Sequence, residues 1–232
     1  YYDSADGYFL LRDVNGDGKD DLVTPVTEDA SFGAPFDPTK MVYQWNSLYP
    51  GLPNYQKATP WVAAKNGPIT FFENPVTYNT TVAIDNANDR GSYRLSYTNL
   101  KQKGLMPNSD LAKNTIGFNG MWKVTDRLTA TASGNFTNQA ATGRNSTGYN
   151  DNIMSSMRQW METNVDYKDL KDAYMSTGRN ITWNPSYSTN TDLKPIYWDN
   201  PYWTRYQNYE TDSRNRYMGA MTLDYKIADW VS

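Results

Sequence analysis

"VTYNTTVAIDNANDRGSYRLSYTN", residues 76–99, decides the architecture. Val76, Tyr78, Thr80, Val82 and Ile84 fall on one side of an extended chain, and Thr77, Asn79, Thr81, Ala83 and Asp85 on the other. After "NANDRG" the alternation resumes, with Tyr93, Leu95 and Tyr97 set between Ser92, Arg94, Ser96 and Thr98. Successive side chains of a strand point to opposite faces, so this period of two predicts strands with one apolar and one polar face.

The pattern recurs downstream. In "TIGFNGMWKV" (115–124) Ile116, Phe118, Gly120, Trp122 and Val124 share a side. In "LTATASGNFTN" (128–138) Leu128, Ala130, Ala132, Gly134 and Phe136 do so, and in "RYMGAMTLDY" (216–225) Tyr217, Gly219, Met221, Leu223 and Tyr225. The opposite sides are rich in Ser, Thr and Asn, as a wet lumen would be. Connections alternate in length: "NANDRG" is short, "LKQKGLMPNSDLAKN" longer, "TDR" very short, residues 139–213 very long, and "IAD" very short. Short turns on one end and long loops on the other describe an up-and-down antiparallel meander, the habit of outer-membrane barrels. Each strand is about ten residues, the length a tilted strand needs to cross a bilayer. Aromatics near strand ends (Tyr78, Tyr97, Trp122, Phe136, Tyr225, Trp230) fit an interfacial girdle. A soluble β-sandwich or barrel alternates equally well, so periodicity alone leaves both open.

Composition narrows the chemistry. The 232 residues contain no cysteine and no histidine. Disulfides, thiolate and His-based triads, the usual zinc sites and the commonest general base are therefore absent. A net charge of -3 argues against a nucleic-acid partner. Aromatic residues make up 15% of a chain of low mean hydropathy, which suits membrane interfaces or sugar-binding surfaces. No run approaches the ~20 apolar residues of a transmembrane helix. The chain starts at "YYDSADG" without an initiating Met and stops at "KIADWVS", and we read it as an internal piece of a longer protein.

Residues 1–75 are punctuated by Pro and Gly, with one short helix expected around "PTKMVYQW" (38–45). They include "DVNGDGKDD" (13–21), where acidic or amide side chains recur at alternate positions. Candidate calcium ligands are the side chains of Asp13, Asn15, Asp17 and Asp21 and the carbonyl of Lys19, with Gly18 allowing a sharp turn. The final Glu of an EF-hand is missing, since Thr24 holds that place. "NGDGKDDLV" resembles the short calcium loops of integrin-like propellers, but a propeller would repeat it and here it occurs once. Calcium, if bound, is expected to be structural; a solvated acidic turn is the plainer alternative.

In the long excursion, "DNIMSSMRQWMETN" places Ile153, Met157, Trp160 and Met161 at helical spacing, with Asp151 as its cap, giving a helix near 151–163. A weaker helix is expected in "YKDLKDAYM". A segment dense in rings follows, and Trp183, Trp198, Tyr202, Trp203 and Tyr206 are candidates for facing a substrate or partner. Asp166, Asp169 and Asp172 show no catalytic spacing, and no enzyme activity is expected.

Residues 77–138 resemble the early barrel of SusC/RagA-type TonB-dependent transporters of Bacteroidota. The likeness rests on "RLSYTN", the loop "KGLMPNSDL" and the hairpin "TDRLT", in that order. "STGYNDN" (146–152), "YWDNPYWTRYQNYETDSRNRYMG" (197–219) and "SFGAPFD" (31–37, with Phe32 where Trp is usual) extend it over most of 31–232. The resemblance implies a 22-stranded outer-membrane barrel with a plug. Such a transporter imports oligosaccharides or peptides with energy from TonB, and a SusD-like lipoprotein lids it. The plug that would contact TonB is absent from this stretch.

The expected organisation follows. Residues 1–75 form an extracellular loop region, 76–138 four barrel strands as two hairpins, 139–213 a second extracellular loop, and 214–232 a fifth strand with the start of a sixth. The all-β transporter piece has an alternative: a secreted, calcium-binding β-rich adhesion or carbohydrate-binding module.

Overall fold

The computed structural model describes residues 7–26, 33–149, 152–186 and 193–228. It is mostly antiparallel β, as the alternation predicts. The chain divides into two compact units: residues 1–73 with 145–209, and residues 74–144 with 210–232.

The second unit is one sheet built from β5 (Val76–Asn88), β6 (Gly91–Lys103), β7 (Asp110–Lys123), β8 (Leu128–Thr142) and β9 (Thr211–Tyr225), numbered after four short strands of the first unit. Its order β5-β6-β7-β8-β9 follows the sequence, and every pairing is antiparallel and unbroken in register. The strands run 13 to 15 residues, longer than the ten expected. Polar ends such as Asn86–Asn88 and Lys101–Lys103 read as loop in the sequence, yet their backbones keep to the ladder. The connections shrink in step. Between β5 and β6 only Asp89 and Arg90 remain, and Asn88 Oδ1 accepts the amides of Arg90 (2.9 Å) and Gly91 (3.0 Å). Gly91 is needed there, because a Cβ would meet the Met121 carbonyl at 2.4 Å and the Trp122 ring at 2.5 Å. Between β7 and β8, Thr125 Oγ1 accepts from Arg127 and Leu128. Among the described residues the sheet is open, with β5 and β9 at its edges. The expected sixth strand and Trp230 lie outside the described residues.

The first unit brings together residues from both of the expected loop regions. β1 (Leu10–Arg12) pairs with β2 (Asp21–Val23), and β3 (Asp37–Val42) with β4 (Thr59–Trp61); Val23 and Tyr43 bridge the two hairpins. The helix expected over 38–45 is instead β3 followed by a 3₁₀ turn at Trp45–Ser47. Pairing of Met41 and Val42 with Pro60 and Thr59, and burial of Val42, outweigh a weak local helical signal. Phe9, Val42 and Trp61 form one core cluster, and Trp61 Nε1 donates to the Ala34 carbonyl.

Among the described residues the excursion contributes three helices, α1 (Ile153–Gln159), α2 (Tyr167–Thr177) and α3 (Pro201–Gln207). α1 is shorter than the expected 151–163 and is capped by Asn152, whose Oδ1 accepts from Met154 N. Asp151 lies outside the described residues. α2 is the longest helix. Asp166 caps it by accepting from Lys168 and Asp169, and Gly178 ends it at φ +65°, where a side chain would be strained. α3 begins at Asn200-Pro201, a cap followed by a proline at the first helical position, a start signal the sequence carries amid its rings.

The two segments of this unit are stitched together by buried contacts far apart in sequence. The Tyr49 hydroxyl donates to the carbonyls of Thr182 (3.0 Å) and Leu193 (3.2 Å). Asn66 donates to the Asp166 carboxylate, and Asp166 thus caps α2 and tethers residue 66 at once. Asn184 Nδ2 donates to the Val26 carbonyl, and Phe71 packs against Tyr167 and Tyr202.

Candidate functional site

The unusual surface is the sheet of the second unit. Its register stacks residues of equal parity into rungs across all five strands. One rung reads Val82, Tyr97, Ile116, Phe136 and Tyr217; the next reads Ile84, Leu95, Phe118, Gly134 and Gly219. Then come Asn86, Tyr93, Gly120, Ala132 and Met221, and Asn88, Gly91, Trp122, Ala130 and Leu223. Leu128 opposite Tyr225 closes the series. From Leu128 to Phe136 this apolar band runs about 27 Å along the strand at ~3.4 Å per residue. Most of its large side chains stand exposed, Tyr217 at 76% and Met221 at 71%, while Leu128 and Phe136 are half-buried. Water-facing apolar patches of such extent are rare on monomeric soluble proteins.

The band has a sharp border. The next rung toward the long loops is Thr80, Asn99, Asn114, Asn138 and Asn215. Asn99 Nδ2 donates to Asn114 Oδ1 (2.7 Å), the Tyr97 hydroxyl donates to the same oxygen (2.7 Å), and Asn138 donates to Asn215 (2.8 Å). This asparagine ladder was invisible one strand at a time, because it exists only once the register is set.

The opposite face is mostly polar, with Leu100, Leu111, Met121 and Met218 as its large apolar members. Thr81 and Thr98 share a hydrogen bond at 2.9 Å, and Thr115 and Thr137 one at 3.3 Å. Asp85 and Arg94 form a cross-strand ion pair. Lys113, Lys123, Asp212, Arg214, Arg216 and Asp224 share this face by parity.

The calcium-like stretch proves to be the connection of the β1–β2 hairpin, so its two ends are pinned by a ladder in which Arg12 faces Asp21. Asp13 accepts from Gly16 N (2.7 Å) and Asp17 N (3.1 Å) through Oδ1 and from Gly18 N (2.9 Å) through Oδ2. Asn15 accepts from Asp17 N, Asp17 from Lys19 N, and Asp21 from Val14 N. Gly16 and Gly18 sit at φ +81° and +82°. The side chains are thus turned inward on the loop's own amides. Asp13 Oδ1 already accepts two amides, while Asp13 Oδ2 and the Asp21 oxygens keep a lone pair open to an ion. Among the described residues no three or more acidic, histidine or cysteine side chains are gathered as a metal cluster. Val14 is buried and Gln56 Nε2 donates to its carbonyl, which anchors the loop to the unit.

The five ring candidates separate by position. Trp183 and Tyr202 are core residues, 2% and 1% exposed, and so are corrected from surface to interior. Trp203 is half-buried. Tyr206 stacks on Tyr174, and Trp198 on Trp160 with centroids 5.9 Å apart. The acidic trio also resolves into structural parts: Asp166 is the cap, Asp169 accepts from Asn46, and Asp172 pairs with Lys168. Burial, and then the nearby Asp166 charge, raise the Asp169 pKa.

No family model matches the chain, and no curated protein matches it.

Proposed function

We propose that this chain is part of the wall of an outer-membrane β-barrel, in a TonB-dependent transporter of the SusC/RagA type. The observation that carries the proposal is the two-faced sheet. Five in-register strands of bilayer-crossing length carry an uncharged, aromatic-rich band on one face and eight charged side chains among Ser, Thr and Asn on the other. Lipid outside and water inside account for both faces at once. Further strands would pair with the edges of β5 and β9. The transported nutrient is a bulky polar one, a glycan oligosaccharide or a peptide, taken up with a SusD-like lipoprotein and with TonB acting through a plug. The first unit is then extracellular. Its half-buried rings Trp198, Trp203 and Tyr206 are the ones left to meet a glycan or a partner.

Within the same proposal, the loop Asp13–Asp21 holds a structural calcium ion. Asp13, Asn15, Asp17 and Asp21 would supply side-chain oxygens and Lys19 its carbonyl. Calcium titration by calorimetry should give binding heat that an Asp13→Ala/Asp17→Ala double variant loses. Equal heats from the two proteins end the calcium assignment.

The hairpin setting of that loop also favours a second reading, a secreted calcium-binding β-rich module for adhesion or sugar binding. Sedimentation in a neutral detergent separates the two. The transporter wall carries a detergent belt, whereas the secreted module stays free of detergent.

A further inference from the structure

We propose that the loop end of the sheet's apolar face holds the phosphate headgroup of an anionic membrane lipid; the inference rests on this face meeting a bilayer. Charge on the face is confined to one place. Across β5–β9 the residues of this parity include three charged side chains, Lys101, Lys103 and Asp110. All three lie beyond the asparagine ladder, on the side of the long loops, and the far end of the band has none.

The surface there is concave. A groove of about 560 Å³ is lined by Val76, Tyr78, Lys101, Lys103, Ala112 and Ala140, among others. Ala112 and Ala140 are direct cross-strand neighbours, and their small side chains form a shallow floor. Lys101 has Tyr78 on one side and Ala112 on the other, neither of them charged. Lys103 faces Val76 and Asp110, so two lysines stand against one carboxylate.

The parts suit a lipid better than a soluble anion. A lysine lays its methylene stem along apolar surface and lifts its ammonium into the headgroup layer. A phosphate met there makes a charge-assisted hydrogen bond. The acyl chain can then run from the alanine floor across the asparagine rung onto the band. Tyr78 stands at the headgroup level, where amphipathic rings gather. On the opposite face Lys113 is flanked by Leu100 and Gln139, and it serves as a control of equal charge on the same sheet.

The test is native mass spectrometry of the full chain from neutral detergent. Phosphatidylglycerol, phosphatidylcholine of the same acyl chains, or inorganic phosphate is added in separate arms. Retention should favour phosphatidylglycerol. Lys101→Gln should weaken it about fivefold, the effect of ~1 kcal/mol per basic residue at an anionic surface. Lys113→Gln should leave it unchanged. Equal retention of the two lipids, or equal loss in both variants, overturns the headgroup site. So does inorganic phosphate bound as well as the lipid, which would make the ligand a soluble anion. A chain that takes up no detergent belt overturns the bilayer reading itself, whereas a belt without anionic preference overturns the headgroup site alone.

Discussion

Single side chains carry the first unit, and asparagine does more there than the rings. Asn200 is fully buried, and its amide donates to the carbonyls of Leu170 (2.8 Å) and Ile181 (2.8 Å). Its Oδ1 caps α3 by accepting from Tyr202 N. Asn200→Ala removes the cap and strands two carbonyls, so it should cost about 2–4 kcal/mol. Asn200→Asp keeps the cap but turns a buried carboxylate oxygen onto the same two carbonyls, so it should cost at least as much as the alanine variant. Urea unfolding followed by tryptophan fluorescence checks both. Asp169 gives a pH signature. Burial chiefly, with the Asp166 charge second, raises its carboxyl pKa above the ordinary 3.8, while the Asn46 hydrogen bond pulls the other way. The folded state therefore holds this proton more tightly than the unfolded chain does. Stability is highest below pH 3.8 for this group and falls as pH rises through the folded pKa. Asp169→Asn should flatten that fall while still accepting from Asn46, and an unchanged slope across the acidic range would refute the assignment. Ring density in the sequence suggested a binding surface, yet it could not tell Trp183 from Trp203. Which rings are buried depends on residues more than a hundred positions away, such as Tyr49 with Thr182.

At the scale of elements, period two was enough to place five strands and their faces, because alternation survives any register that keeps parity. Their ends were not legible. Runs such as "NANDRG" are polar enough to read as loop, while the ladder tolerates Asn and Lys at the strand ends. The strand within residues 38–45 was not legible for the reverse reason: β4, which pairs with β3, lies some twenty residues downstream. Parity also makes a sharp prediction. Ala132→Arg puts a charge in the middle of the apolar band and should cost ~2–4 kcal/mol for a lipid-facing midplane site. Ser133→Arg, one residue on, joins the polar face and should be tolerated. Unfolding midpoints of the two variants in membrane-mimetic detergent give the comparison, and equal costs would deny the faces different surroundings.

For the molecule as a whole, the boundary at residue 76 was legible as a change of texture from irregular to alternating. The joining of residues 1–73 with 145–209 was not, since it rests on pairings such as Ala64 N with the Thr163 carbonyl and Asn66 with Asp166. Nothing local in either segment announces them. The calcium-like loop was legible as chemistry and illegible as placement; only the Leu10–Val23 ladder shows it to be a hairpin turn. The central claim is that one face of the sheet meets lipid and the other water. The chain has no cysteine, so single cysteines can be placed at will. The direct measurement is spin-label accessibility along β7, residues 114–122, in the full chain reconstituted into bilayers. Labels at Ile116, Phe118, Gly120 and Trp122 should collide with oxygen and be shielded from a water-soluble nickel chelate. Labels at Thr115, Gly117, Asn119 and Met121 should do the reverse. Accessibility without a period of two, or chelate access at Ile116 and Phe118, would contradict the claim.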